Sequence, residues 1–182
     1  MAIITFDVSK VIGNIGEIPK KARGAIARGL NKTAQNVSTS ANRAIRQRRA
    51  LPAKTVREAI KIRRATTQRL ESALVVTGRP IALRDYQARQ TKNGVTVAVT
   101  PGKRKTVTHS GNKAFIVKKI GGHVFARESR SKLPIKKLFG PSLPSTFVQE
   151  EVKKAWTATA VEAMPKRIAE EIRFELSKIT AR

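Results

Sequence analysis

Cysteine is missing from the chain altogether, and acidic residues are nearly missing from its middle. Without thiols there is no disulfide, no cysteine-bound zinc and no thiol nucleophile, so stability has to come from packing and assembly. Aromatic residues make up only 4% of the composition. Phe115, Phe125, Phe139, Phe147, Trp156 and Phe174 fall on apolar strand or helix patterns, where core packing claims them before base stacking does. Uncharged apolar runs such as Ala73 to Thr77 stop far short of the roughly 20 residues that span a bilayer, so no membrane insertion is expected. Met1 to Ile4 is apolar, but Asp7 follows, and the basic start and cleavage site of a secretory signal are not there.

Catalytic constellations are equally sparse. His109 and His123 come without a carboxylate at ligand spacing. No Gly-x-Ser-x-Gly elbow occurs. Gly13-Asn-Ile-Gly16 offers two glycines ahead of a helix but neither the third glycine nor the Lys-Ser/Thr pair of a phosphate cradle. Glu150-Glu151 and Glu170-Glu171 are neighbours along a helix, so they point in different directions and read as solvated faces rather than acid-base couples. The basic region lacks the clustered carboxylates a metal-dependent nuclease requires. The expectation is a protein that is not an enzyme and needs no cofactor or metal.

What is present is positive charge, concentrated in one block. Residues 18–144 carry thirty Lys and Arg against Glu58, Glu71, Asp85 and Glu128, an excess equal to the +26 of the whole chain, while both flanks are close to neutral. Each cation alone fits a solvated face. An ordinary exposed helix, however, interleaves Glu with Lys at four-residue spacing, and this block does not. Charge of that density repels itself until something acidic covers it, either nucleic acid or an acidic protein surface.

With 40% hydrophobic residues among 182, the chain supports one compact domain, expected to span 1–182 with a possible extended arm. Pro19 to Arg49 reads as a long basic helix: Ala22, Ile26, Leu30, Ala34, Val37, Ala41 and Ile45 form a thin stripe. Gly24, Gly29, Ser38 and Ser40 lower its helicity and suggest close approach to another backbone. Leu51-Pro52 ends it, and Lys54 to Ile62 predicts a second, short helix, completing a helical part over 18–64. Two basic helices around a proline turn invite a helix-turn-helix reading. The strand pattern that follows removes its third helix.

From Leu70 the period becomes two. Ala73 to Thr77, Val95 to Val99, Ala114 to Ile120 and His123 to Ala126 predict a small, mainly antiparallel sheet of about four strands over 70–127. Asn93-Gly94 opens one strand, and Gly121-Gly122 suits a hairpin turn. Pro101 to Lys113, with four cations and no acid, reads as a mobile basic loop that orders on a partner. Leu133 to Pro144 is a proline-rich, apolar segment, within 131–145, suited to line a sheet or reach a neighbouring subunit. Thr146 and Gln149 suggest a capping box for a final helix over 146–180, kinked or broken near Pro165. Its stripe of Val148, Val152, Ala155, Trp156, Ala160 and Met164, resumed by Ile168, Ile172, Leu176 and Ile179, makes it the expected cover of the sheet. The class is therefore α+β. Candidate contacts to DNA or an acidic partner are Lys103, Arg104, Lys105 and Lys113 in the basic loop and Arg43, Arg46, Arg48 and Arg49 at the end of the first helix. Leu133, Pro134, Ile135, Leu138 and Phe139 form the candidate inter-subunit arm.

Val56-Arg-Glu-Ala-Ile-Lys-Ile-Arg63, Val75-Val-Thr-Gly-Arg-Pro-Ile-Ala-Leu83, Lys113-Ala-Phe-Ile-Val117, Gly122-His-Val-Phe-Ala-Arg127, Leu133-Pro-Ile135 and Gly140-Pro-Ser-Leu-Pro144, in this order after a basic helix, resemble the minor tail protein Z family of tailed bacteriophages, also described as tail completion proteins. The resemblance runs from about Lys20 to the last helix. It implies a structural virion protein at the head-proximal end of the tail, assembled in the host cytoplasm. There it would form a homo-oligomeric ring, commonly sixfold, that joins tail to head and accommodates DNA, beside partners such as a tail terminator or head connector. The alternative is a small basic nucleic-acid-binding protein of nucleoid or ribosome-associated type, which shares the charge but binds nucleic acid on its own.

Overall fold

The chain is described here by a computed structural model over residues 1–7 and 19–180, with side chains as far as Lys178. The Gly13 to Gly16 segment and the Ile179 side chain lie outside the described residues. Strand β1 (Ala2–Asp7) precedes the long helix α1 (Lys20–Arg48), close to the predicted limits. Along α1, Ile26, Leu30, Ala34, Val37, Ala41 and Ile45 are at most 5% exposed. The helix stops where Arg49 turns extended and the Ala50 N–H donates to the Val99 carbonyl at 3.1 Å.

Pro52 then caps α2 (Ala53–Ala59), which passes directly into β2 (Ile60–Arg63). The predicted helix over 54–62 is thus half strand. Ile60 and Ile62, two residues apart, pair with Val76 and Leu74 of β3 (Glu71–Val76), so a period-2 burial replaces the helical one. β3 is the centre of a sheet ordered β1-β3-β2, with β1 antiparallel from Ala2 opposite Val76 to Asp7 opposite Glu71. β1 was not foreseen, because its partner lies some seventy residues along the chain.

The remaining strands are β4 (Ile81–Ala82), β5 (Arg89–Thr91), β6 (Gly94–Thr100), β7 (Lys103–His109), β8 (Asn112–Lys113), β9 (Phe115–Val117), β10 (His123–Arg127), β11 (Ile135–Lys137) and β12 (Phe139–Gly140). They form sheets ordered β5-β6-β7-β8, β11-β10-β9 and β12-β4. The α+β class holds, and every strand pair is antiparallel, but the strands divide among several small sheets instead of one. Gly121 and Gly122 both have positive φ, 76° and 67°, between β9 and β10, in the role predicted for them. The segment from Pro101 to Lys113 is not a loop. Gly102 and Gly111, at φ 74° and 75°, are its tight turns, and the residues between them pair with β6 and β8.

The proline-rich segment lines sheets of its own chain: β11 pairs with β10, β12 with β4, and Leu138 is buried. Tyr86 is fully buried and donates its hydroxyl to the Pro141 carbonyl at 2.7 Å. Burial pushes its phenol pKa up to about 12. A Cβ at Gly140 would overlap the Tyr86 ring, which gives that glycine its place. Helix α3 (Pro144–Phe147) follows, then α4 (Glu150–Thr180). No capping box forms: the buried Thr146 hydroxyl accepts from Arg49 Nε at 2.9 Å, and the Gln149 carbonyl accepts the Lys153 N–H at 2.8 Å as α4 begins. Phe147 stacks on Trp156 at 6.1 Å and joins α3 to α4. α4 is unbroken at Pro165. The carbonyl that loses its donor there belongs to Val161, whose side chain is 69% exposed, so water can replace the missing N–H.

The expected cover of the sheet is reversed. α1 packs on β3 and also carries α4, so the first helix lies between them. The two long helices run antiparallel, with Arg28 beside Glu171 and Glu175 at one end and Arg48 paired with Glu151 at the other. Between those ends, a Cβ on Gly29 would sit 2.8 Å from the Ile168 Cα, and Ser40 donates to the Ala155 carbonyl while accepting from Thr159 Oγ1 at 2.9 Å. Glu171 is 5% exposed, not on a solvated face as its sequence position suggested. Arg28 Nε at 2.6 Å and Lys32 Nζ at 2.5 Å hold its carboxylate, and they lower its pKa from the ordinary value.

Gly29→Ala should lower the free energy of unfolding by about 1–3 kcal/mol through overpacking. Gly24→Ala, facing only ordinary van der Waals neighbours, should leave it unchanged or raise it by up to about 1 kcal/mol, both read by chemical denaturation. Because Glu171 ionises more readily folded than unfolded, its contribution is complete above the ordinary Glu pKa of about 4.3 and is lost as pH falls through the lower folded value. Melting temperature should therefore drop on acidification below about pH 4.3, and Glu171→Gln should be less stable at neutral pH with a flatter acid limb.

Candidate functional site

The basic block stays largely uncompensated when folded. Of its thirty cations, only Arg28, Lys32, Arg48, Arg63, Arg84 and Lys136 lie within 4.0 Å of a carboxylate among the described residues. Three of the six carboxylates after residue 144, those of Glu151, Glu171 and Glu175, are held by cations of α1. Glu151 sits in the first turn of α4, where its own backbone N–H and then Arg48 keep its pKa below the usual carboxylate range.

The predicted contact residues separate into three groups. Lys103, Arg104 and Lys105 lie on β7 and are exposed. Alternation along a strand sends Lys103 and Lys105 to one face and Arg104 to the other. Arg104 Nη2 donates to the Gln87 carbonyl at 2.7 Å and to the Thr96 carbonyl at 3.2 Å, so this guanidinium ties strands together. Lys113 is exposed on β8, in register with Thr108.

At the end of α1 the four arginines divide again. Arg48 is spent on Glu151, and Arg49 is half-buried on Thr146. Arg43 and Arg46 remain exposed and line a groove of about 260 Å³ together with Ser38, Thr39, Asn42 and Arg57. Arg57 comes from α2, brought alongside by the turn at Leu51-Pro52. The Asn42 amide donates to the Ala53 carbonyl at 3.0 Å and fixes α2 against α1 at this point. Sequence reasoning recognised Arg57 as a charge but not as a partner of Arg43 and Arg46. The signal was available: a basic residue one turn into a short helix that must fold back along the first.

Of the candidate arm, Ile135 and Leu138 are committed to the sheets of their own chain, whereas Leu133 and Phe139 are 72% and 51% exposed. Lys137 Nζ lies 5.3 Å over the Phe139 ring. The same ammonium lies 3.1 Å from His123 Nε2. Burial lowers the His123 pKa, with Lys137 and Arg84 adding to the effect. His109 is on β7, apart in sequence from His123 on β10, and no group of three or more His, Asp or Glu side chains among the described residues is placed to hold a metal ion. No described helix is long and apolar enough to cross a membrane.

Comparison with curated proteins and with solved structures returns no match. A protein-family model does match, that of prophage minor tail protein Z (GPZ), over residues 8–182. The match takes in α1, the strands from β2 to β12 and the last two helices, including every motif on which the resemblance was drawn. The chain therefore belongs to the prophage minor tail protein Z family, and its place is in the bacteriophage virion, among the structural proteins of the tail.

Proposed function

We propose that the chain is a tail completion component of the phage neck, one subunit of a ring, sixfold by analogy with neck rings, that helps join tail to head around the path of the DNA and performs no catalysis. The observation that carries this reading is the uncompensated basic block: few of its cations have an internal carboxylate partner, so a neighbour must supply the opposite charge. A ring multiplies that block by the number of subunits, which raises the demand for an acidic partner in proportion. DNA phosphates and acidic faces of a tail terminator or head connector both meet it. Leu133 and Phe139 are apolar, exposed and next to Lys136 and Lys137, which suits them to the rim of a contact between subunits.

Imaging of assembled particles in which the chain carries a label tests the position directly. Label at the head-proximal end of the tail is expected; label at the tube or the distal tip would overturn the neck reading. A free chain that binds DNA tightly as a monomer or dimer and is absent from particles would instead favour a nucleoid-type role.

The basic hairpin has its own test. Lys103→Ala with Lys105→Ala should leave the melting temperature unchanged and reduce the yield of joined particles. Arg104→Ala should lower stability by about 1 kcal/mol, since it deletes the hydrogen bonds to Gln87 and Thr96.

A further inference from the structure

We infer that the groove between α1 and α2 is a binding site for a backbone phosphate of polynucleotide, held by Arg43, Arg46 and Arg57. This rests on the reading that the basic block is neutralised by polyanion and goes further, to a defined site within it. Three observations carry it. The three arginines line a single concavity of about 260 Å³ rather than a flat charged face. None of the three has a carboxylate or hydrogen-bond partner among the described residues, in contrast to Arg48 and Arg49 immediately along the helix. The rest of the lining is Ala53 and three short polar residues, of which Asn42 is fixed by its bond to the Ala53 carbonyl and Thr39 donates to the Gln35 carbonyl, while Ser38 adds a further hydroxyl.

The chemistry selects the anion. A guanidinium presents paired donors in a rigid fork, and forks arriving from two helices approach one anion from different directions. A phosphodiester has two unesterified oxygens and two ester oxygens disposed tetrahedrally, so it accepts from several directions at once. A carboxylate is planar, with its acceptor sites in one plane, so it matches forks from different directions less well. No aromatic residue lines the groove, so no base stacks there, and a contact made through phosphate carries no sequence information.

The test measures binding of the full chain to a duplex oligonucleotide by fluorescence anisotropy across a salt series. The groove variant is Arg43→Gln, Arg46→Gln and Arg57→Gln. Its control removes the same charge from exposed, unpaired positions elsewhere, Lys118→Gln, Lys119→Gln and Arg130→Gln. Each phosphate contact adds about 0.9 to the slope of log K against log salt, so the groove variant, which gives up one phosphate, should lose about 1 from that slope and about tenfold in affinity near 0.1 M salt. The control should stay within about threefold of the unmodified chain. A version with Arg43→Lys, Arg46→Lys and Arg57→Lys keeps the charge but not the fork and should fall between the two. Unchanged melting temperatures are expected for all of them, because these side chains make no internal bonds. A second measurement does not depend on any variant: titration of inorganic phosphate should move the arginine Nε–H resonances of Arg43, Arg46 and Arg57 before those of other arginines.

Equal losses in groove and control variants would overturn the site while leaving the polyanion reading intact. An unmodified chain that binds no duplex even at about 50 mM salt would overturn both. If polyglutamate binding drops with the groove variant as much as duplex binding does, the groove belongs to an acidic protein surface and the phosphate assignment is wrong.

Discussion

The fold depends on how closely two long helices can approach across Gly29. α1 has to serve two neighbours at once, β3 on one side and α4 on another. A helix with Leu or Phe all around would hold those layers apart. The thin stripe of α1, built from Ala, Val, Ile and a single Leu, together with Gly29 and Ser40 against α4, lets Ile168 and Ala155 come to backbone distance. The cost is intrinsic helicity, about 1 kcal/mol for each glycine. Tertiary contact on both sides of the helix offsets it.

The same helix pairing decides which charges are left over. α4 brings the acids, and the ends of α1 use them: Glu151 for Arg48, Glu171 for Arg28 and Lys32, Glu175 for Arg28. Burial of Glu171 makes its ion pairs part of the interface rather than a surface ornament. What the interface does not reach is the outer face of α1 near its end, the adjoining side of α2 and the hairpin of β7. Those cations keep their full demand for an external counter-charge. Membership of a phage tail family and a large internal surplus of positive charge are consistent with each other, since a virion protein spends its working life against neighbours.

How much of this was legible in the residues varied with the range of the interaction. The limits of α1, the turn at Gly121-Gly122 and the start of β6 at Gly94 were readable, because periodicity and positive φ act within a few residues. The hairpin of β7 was misread as a loop, since its charged, exposed face carries no burial signal and its stability comes from pairing with β6. β2 was misread as helix for a related reason: Ile60 and Ile62 take strand geometry only because β3 is there to pair with them. Thr146, which had the spacing of a helix cap, is instead bonded to Arg49, a residue of distant sequence. Of the contact residues, the chemistry was plain and the company was not. Arg43 and Arg46 share a face of one helix, which spacing reveals, whereas Arg57 meets them only through the fold of the chain at Leu51-Pro52.

Composition and local pattern were enough to establish the α+β class, the absence of thiol chemistry, the concentration of charge in residues 18–144 and the family resemblance, because each of these is a property of residue types and near neighbours. The tertiary structure decided which helix covers the sheet, that the proline-rich segment folds onto its own strands, that Glu171 is buried, and which arginines without a carboxylate partner share one groove. Each of those outcomes depends on contacts between residues far apart in the chain, and a carboxylate or a strand edge reveals its partner only when the intervening residues have folded it into reach.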